Sequence, residues 1–191
     1  MTKGFDGAQQ SSWFLVSVLG AALLLQPASA GANNHSVELH IEAAYLLHFV
    51  RYVYWPNPSP AAASSPVILG VLGHDPIVEV LESTVSGKTV GNRPIRIRLI
   101  ASAEQIEPCD ILFVPQSETK QMPAVLSAVS GRPILTVSDM ERFSNEGGMI
   151  EFLLVDDTVR FAINNAAAEK AGLRLASELL RVAYSVGGRR K

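Results

Sequence analysis

Residues Val67–Leu72 read VILGVL, and this short apolar run decides which kind of fold the chain can adopt. An uninterrupted apolar segment of strand length is typical of a strand that is covered on both faces. Asp75 and Pro76 follow it, and proline is favoured in the first turn of a helix, so we expect a helix through about Val85. A buried strand followed at once by a helix is the building unit of a parallel α/β sheet.

The same alternation continues downstream of this unit. Three more strands are predicted at residues 94–100, 110–114 and 132–137. Three short helices are predicted after them, at residues 101–106, 122–130 and 139–145. In the first of these strands Ile95, Ile97 and Leu99 face one way, and Arg96 and Arg98 face the other. This pattern predicts a half-exposed strand near a sheet edge, where charge discourages pairing with other sheets.

Two further strand-like segments, residues 149–155 and Thr158–Ile163, are separated only by Asp156-Asp157. A connection of two residues fits an antiparallel hairpin and excludes a parallel crossover. Glu151 and Arg160 are expected to project from the hairpin face opposite the core. The sequence therefore predicts a weak surface ion pair between them.

Helices are predicted at both ends of this region. Residues 36–55 form an amphipathic run that ends there because Pro56 denies the preceding residue a helical conformation. Asn165 is expected to cap a last helix that continues to about Val186, with a buried face formed by Leu175, Leu179 and Val182. We therefore expect a single Rossmann-like, three-layer α/β domain, with a mainly parallel sheet and an antiparallel hairpin near the C-terminus.

The first thirty residues have the organisation of a secretory signal peptide. An apolar run at residues 13–25 is followed by Ala28-Ser29-Ala30, the small-x-small pattern that signal peptidase accepts. This run is too short for a membrane span, which takes about 20 apolar residues. We expect residues 1–30 to be removed and residues 31–191 to form one domain in the periplasm. The alternative is the buried first helix of a cytosolic protein.

The composition argues against several classes of function. A net charge of −2 lacks the basic footprint of a nucleic-acid-binding protein. Cys109 is the only cysteine, so neither an intrachain disulfide nor a thiolate metal cluster can form. Its position at the start of a core strand favours burial over reactivity. His40 and His48 lie about two helical turns apart, too far to share a metal ion without a third element.

Sequence motifs for catalysis are also missing. The turn at residues 70–76 does not match G-x-G-x-x-G, and neither a Walker sequence nor a G-x-S-x-G nucleophile occurs. Asp139 follows Ser138 at the end of a parallel strand, where α/β sites often lie, but this pair is also a usual helix cap. We therefore expect no enzyme, no catalytic residue, no metal and no cofactor.

Several longer segments occur in an order that resembles one known family: AAYLLHFVRYVYWP (43–56), CDILFVP (109–115), ILTVSDMERFSNEGGMIEF (134–152) and VRFAINNAAAEKAGLRLASELLRVA (159–183). They resemble the YfiR-like family, the YfiR/HmsC group. The resemblance implies periplasmic, Rossmann-like proteins that lack enzymatic activity and tend to form homodimers. The best-known member binds the periplasmic sensor domain of an inner-membrane diguanylate cyclase and holds it inactive, which lowers cyclic-di-GMP and biofilm formation. That member also uses disulfides as a redox-sensitive element, whereas the single Cys109 excludes an intramolecular disulfide here and allows an intermolecular one only if it is exposed, which its strand context disfavours.

The resemblance and the residues together suggest a negative regulator of a membrane-bound diguanylate cyclase. Aromatic residues exceed what the first helix needs for packing, and an exposed part of them would suit a protein interface. The candidate partner-binding residues are Tyr45, Trp55, Arg160, Asn164 and Arg174, although Asn164 and Arg174 also fit capping and solvated roles.

The alternative is a periplasmic small-ligand binding protein. Its cleft would lie beyond the carboxyl ends of the parallel strands, near Gly73, Pro115 and Ser138. A hydrolase, the third possibility, lacks both a nucleophile and a base.

Overall fold

A computed structural model describes residues 30–56, 65–187 and 189–190. The predicted leader, residues 1–30, lies outside the described residues except for Ala30, which begins the first helix. Within the described part, five α-helices form: α1 (Ala30–Tyr52), α2 (Ile77–Val85), α3 (Met122–Ala128), α4 (Asn165–Lys170) and α5 (Ser177–Val182). Short 3₁₀ helices cover Ala103–Gln105 and Gln116–Gln121.

Eleven strands lie in the same described ranges: β1 (Val53–Tyr54), β2 (Val67–Leu72), β3 (Thr89–Val90), β4 (Arg93–Ile100), β5 (Ile111–Val114), β6 (Leu135–Ser138), β7 (Ile150–Val155), β8 (Thr158–Ile163), β9 (Arg174–Leu175), β10 (Ser185–Val186) and β11 (Arg189–Arg190). Nine of them form one sheet in the order β11-β10-β8-β7-β6-β5-β2-β4-β3, while β1 and β9 form a separate antiparallel pair. The run β4-β2-β5-β6-β7 is parallel, and β7 pairs with β8 antiparallel. The predicted fold class is therefore confirmed.

The sheet is covered on both faces. The larger apolar cluster lies on the face covered by α1 and α2 and includes Phe49, Leu81 and Phe113. The smaller cluster lies on the other face beneath α3 and includes Leu112 and Phe143. Strand β2 is an interior strand of the sheet, paired with β4 on one side and β5 on the other, and both of its faces are covered, which explains its continuous apolar sequence.

Gly70 lies inside β2, where the side chains of neighbouring elements pack close to the backbone. A Cβ atom at this position would lie 2.7 Å from Cδ1 of Ile100 and 3.4 Å from Sγ of Cys109. Cys109 itself is buried, as predicted. The close approach of these two side chains to β2 therefore depends on the missing side chain.

The predicted hairpin is confirmed, with Thr158 opposite Val155. Asp156 and Asp157 form its two-residue turn with φ values of 49° and 55°. Positive φ at both turn residues is the type I′ geometry, whose twist matches that of the flanking strands. Aspartate adopts this left-handed conformation more readily than most residues because its short side chain can bond locally.

The helix predicted at residues 139–145 is wrong, because this segment forms consecutive turns. The ion pair predicted between Glu151 and Arg160 is wrong as well. Glu151 lies opposite Ala162 in the hairpin, is buried, and accepts hydrogen bonds from the backbone N–H groups of Arg142 and Ser144. The turns are thus built around a buried carboxylate, which replaces the helical hydrogen bonds.

The single last helix predicted from Asn165 to Val186 is also wrong. Gly172 adopts φ of 77° and ends α4, after which β9, α5 and β10 follow as separate elements. The cap of α4 is Asn164 rather than Asn165, since its side chain accepts a hydrogen bond from the backbone N–H of Ala167. Leu175 and Leu179 are buried as predicted, but Val182 is 62% exposed.

Two smaller corrections concern the first half of the chain. Helix α1 ends at Tyr52, three residues earlier than predicted, because the next two residues pair with β9. In β4 the three apolar residues of one face become more exposed along the strand. Ile95 is buried, Ile97 is half-buried and Leu99 is 56% exposed. Ile100 is instead buried in the smaller cluster on the opposite face.

Candidate functional site

Tyr45 belongs to an aromatic cluster that joins α1 to the hairpin. Its ring stacks on Phe49 with 6.0 Å between ring centroids and meets Phe161 edge-on at 5.2 Å. Phe152 completes the group at 6.0 Å from both Tyr45 and Phe49. Such pairs add about 0.5–1.5 kcal/mol beyond the burial of their area. Half-buried Tyr45 therefore contributes to the core as well as to the surface.

A mainly apolar groove lies between α1 and α5 above this cluster. Its volume is about 350 Å³, and its floor includes Tyr45 and Phe161. Tyr52 of α1 and Val182 of α5 stand on its sides with 36% and 62% of their surfaces exposed. We call this feature the α1–α5 groove. An exposed apolar groove of this kind is typical of a protein interaction site.

An aromatic and cationic patch lies just after the end of α1. It is close in sequence to the residues of α1 that line the α1–α5 groove. Strand β1 places Tyr54 directly opposite Arg174 of β9, and the guanidinium carbon lies 5.3 Å from the centre of the tyrosine ring. Both side chains are exposed, with Tyr54 at 54%. Trp55 follows half-buried, and within the described residues its indole Nε1–H finds no hydrogen-bond acceptor. We call Tyr54, Trp55 and Arg174 the β1–β9 patch.

The other two predicted partner residues lie apart from this patch. Asn164 is committed to structure, because its Nδ2 donates to the backbone oxygen of Ser144 at 2.7 Å while its Oδ1 caps α4. Arg160 is exposed on β8, but it projects from the opposite side of the strand to Phe161, which lines the α1–α5 groove. The structure therefore brings Arg174 against Tyr54, the neighbour of Trp55 in the chain, while Tyr45 lines the α1–α5 groove, and it does not bring Arg160 to the same face as that groove.

A second cavity lies at the carboxyl edge of the parallel strands, near the tip of the hairpin. Its volume is about 210 Å³, and it is lined by Glu42 of α1, Asp139 after β6, and apolar side chains that include Phe152 and Val159. Backbone N–H of Gln116 donates to Oδ1 of Asp139 at 2.6 Å. We call this feature the acidic cavity.

The carboxyl groups of the acidic cavity are perturbed by their surroundings. Burial is the main cause that raises the pKa of Glu42 to about 8, and the neighbouring carboxylates of Asp139, Asp75 and Glu38 act in the same direction. Burial also raises the pKa of Asp139, although the hydrogen bond from Gln116 opposes this shift. Glu42 is thus mainly a neutral acid at pH 7 when the cavity is empty.

The cleft expected around Gly73, Pro115 and Ser138 is filled. The side chain of Glu118 packs over Gly73, and Ser138 is fully buried, donating to the backbone oxygen of Val114 at 2.6 Å. The open space at this sheet edge is the acidic cavity beside Asp139. Sequence reasoning missed Glu42 because a polar residue on an amphipathic helix is ordinarily solvated, and its burial depends on the distant hairpin.

Two further chemical features bear on function. Burial raises the pKa of the Cys109 thiol to about 11, so this group stays protonated and unreactive. Among the residues that the structure describes, no group of three or more His, Cys, Asp or Glu side chains is placed to hold a metal ion. In that same part of the chain, no helix combines the length and the apolar character that crossing a membrane requires.

A family model described as YfiR/HmsC-like matches residues 39–184, which is most of the chain. The chain belongs to the YfiR/HmsC-like family. This family is periplasmic and is known for the regulation of diguanylate cyclase signalling rather than for catalysis. The matched region includes the aromatic end of α1, the hairpin and the α4–α5 segment. The YfiR/HmsC-like part therefore contains the β1–β9 patch and the lining of the acidic cavity except for His35 and Glu38.

Two solved structures are similar to this YfiR/HmsC-like chain at low sequence identity, and the first of them shares its fold. A conserved domain protein from Vibrio cholerae O1 biovar El Tor is 10% identical with a TM-score of 0.55, covering 78% of this chain and 60% of its own. The ABC domain in complex with L-Trp from Streptococcus pneumoniae is 15% identical with a TM-score of 0.48, covering 63% of this chain and 55% of its own. The chain thus spans little more than half the length of these structures. No curated protein matches it.

Proposed function

We propose that this chain is a periplasmic repressor that binds the periplasmic sensor domain of an inner-membrane diguanylate cyclase and lowers cyclic-di-GMP and biofilm formation. Membership of the YfiR/HmsC-like family supports a role in diguanylate cyclase signalling. In this proposal residues 1–30 direct export, residues 31–191 form the working domain, and two copies associate as a homodimer. Repression follows if the domain binds the inactive conformation of the cyclase more tightly than the active one and so shifts its population.

The β1–β9 patch is the observation that carries the proposal. Tyrosine, tryptophan and arginine are the residues most enriched at the energetically important centres of protein interfaces. Here a backbone strand pair holds Tyr54 and Arg174 side by side, and the guanidinium group lies over the tyrosine ring, so the two side chains present one joint surface to a partner. The α1–α5 groove next to them offers an apolar surface that a partner helix or loop would cover.

A direct binding measurement tests this proposal. The periplasmic domains of the host's membrane diguanylate cyclases are immobilised one by one, and binding of the purified chain is followed by biolayer interferometry. We expect one of these domains to bind, and we expect Tyr54→Ala and Arg174→Ala each to weaken that binding at least tenfold, about 1.4 kcal/mol. Failure of every cyclase domain to bind contradicts the proposed function.

Matched control variants show whether a loss of binding is specific to the β1–β9 patch. Leu99 and Arg96 are an exposed apolar residue and an exposed arginine on β4, near the opposite edge of the sheet. Their alanine variants should bind within twofold of the wild type. Arg160→Ala tests whether the interface continues onto the other face of the hairpin. If Tyr54→Ala and Arg174→Ala bind as the wild type does, the β1–β9 patch is not the binding surface. That result would not contradict the proposal that the partner is a cyclase.

A further inference from the structure

The acidic cavity contains a buried carboxyl group that has no partner among the described residues. Glu42 is only 9% exposed and lines the cavity, yet it makes neither a hydrogen bond nor an ion pair with any residue that the structure describes. Its carboxyl oxygens are not fully enclosed by protein, so they face the space of the cavity, where they can accept hydrogen bonds. Buried Glu151, by contrast, is satisfied, because it accepts three hydrogen bonds. Glu42 therefore differs from a structural buried acid.

The charges around the cavity all favour a positively charged occupant. Glu38 and Asp139 line it together with Glu42, and Asp75 lies close enough to act on Glu42. The basic group among the described lining residues is His35, which is exposed at the rim and lies 3.8 Å from Glu38. Neither lysine nor arginine lines the described cavity, so its carboxylates have no fixed counterion.

The remaining walls limit the size and the character of this occupant. Phe152, Leu153 and Val159 supply an apolar surface from the hairpin, and Leu39 adds to it from α1. A volume of about 210 Å³ is below the range of cavities for drug-sized ligands, about 300–1,000 Å³. A metal ion is unsuited, because the described residues hold no group of three ligands placed for one. The geometry fits a small cation that donates hydrogen bonds and carries a short apolar chain.

We propose that the acidic cavity binds a primary alkylammonium group, with Glu42 and Asp139 accepting its N–H donors and the hairpin side chains covering its alkyl chain. An ammonium group has three donors and no acceptor, so it satisfies two carboxylates at once. Charge-assisted hydrogen bonds of this kind are about twice as strong as neutral ones. The site is separate from the β1–β9 patch, and the proposal does not depend on the cyclase partner.

Binding by this mode is coupled to ionisation of Glu42. Burial and the neighbouring carboxyl groups raise the pKa of Glu42 to about 8, so a cation that binds there at neutral pH must displace its proton. Below about pH 8 the affinity should therefore increase with pH, by up to about tenfold per pH unit. Besides Glu42, the titratable groups that act on the cavity are Asp139, Glu38 and Asp75, whose carboxyl groups raise the pKa of Glu42, and His35 at the rim. An alkylamine stays charged between pH 6 and pH 8.5, as the lysine side chain does, with a pKa of about 10.4.

Titration calorimetry with n-pentylamine at pH 6 and pH 8.5 tests the proposal on the purified chain. We expect binding at pH 8.5, at least tenfold weaker binding at pH 6, and no binding of the neutral analogue 1-pentanol. Glu42→Gln should lower the affinity at least tenfold, and Asp139→Asn provides a second variant at the same site. Glu82→Gln, an exposed acid on α2, is the matched control and should bind as the wild type does.

Three results would overturn the proposal: no binding of n-pentylamine at pH 8.5, equal binding of 1-pentanol, or unchanged binding in both Glu42→Gln and Asp139→Asn. The amide of Nα-acetyl-lysine distinguishes the source of the ammonium group. If it binds as n-pentylamine does, the site accepts a lysine side chain of a peptide. If n-pentylamine alone binds, the site accepts a free small amine.

Discussion

Replacement of Glu42 by glutamine should change how stability depends on pH. Glutamine keeps the size of the side chain and removes its titration. In the unfolded chain the Glu42 carboxyl has a pKa of 4.5, whereas burial and three neighbouring carboxylates raise it to about 8 in the folded chain. Below pH 4.5 the group is protonated in both states. Between pH 4.5 and 8 only the unfolded state releases the proton, so each pH unit favours unfolding by about 1.4 kcal/mol.

The magnitude follows from the width of this pH window. A shift from 4.5 to about 8 corresponds to a loss of up to about 5 kcal/mol of folding stability, complete above pH 8. Because the substituted glutamine does not titrate, the free energy of unfolding of Glu42→Gln minus that of the wild type should increase by this amount between pH 4 and pH 9. Urea denaturation followed by circular dichroism at intervals of one pH unit measures it. The reasoning is refuted if this difference stays constant within about 1 kcal/mol, or if Glu82→Gln shows the same increase.

Three further predictions follow from buried groups. Gly148→Ala should lower the free energy of unfolding by about 2–3 kcal/mol, because its Cβ would overlap the buried ring of Phe143, and urea denaturation measures the loss. Glu151→Ala should cost about 3 kcal/mol in the same assay, because it leaves backbone donors such as Ser144 N–H without an acceptor. Cys109 should react with a thiol reagent only in denaturant, because its buried thiol has a pKa of about 11, and rapid labelling of the folded chain would contradict this.

Local sequence patterns were sufficient where neighbouring residues decide the structure. The continuous apolar run of Val67–Leu72 identified a buried interior strand, because a strand covered on both faces needs no polar alternation. The two aspartates at 156 and 157 identified the hairpin, because two residues allow only a tight antiparallel turn. Burial of Cys109 followed from its place at the start of a core strand.

Patterns failed where residues distant in sequence decide the structure. The segment at 139–145 has a helical composition, but the carboxylate of Glu151 binds its backbone N–H groups and holds it in turns. Residues 165–186 have apolar residues at helical spacing, but Arg174–Leu175 pair instead with β1, the strand that follows α1. That pairing also creates the β1–β9 patch, so Tyr54 could not be recognised from local sequence.

The acidic cavity illustrates the same limit for a site. Glu42 is one acid on an amphipathic helix, and nothing near it in sequence indicates that it is buried. The cavity exists because the hairpin brings Phe152 and Val159 against α1 at the same sheet edge where Asp139 follows β6. Three elements far apart in the chain must therefore meet before the site is visible.

Cellular cyclic-di-GMP tests the central claim most directly. Deletion of the gene should raise the nucleotide concentration, because the cyclase loses its repressor, and expression of the wild-type chain should restore it. A folded chain carrying Tyr54→Ala and Arg174→Ala should fail to restore it, whereas one carrying Leu99→Ala and Arg96→Ala should succeed. An unchanged cyclic-di-GMP concentration after deletion would contradict the proposal that this YfiR/HmsC-like chain represses a diguanylate cyclase.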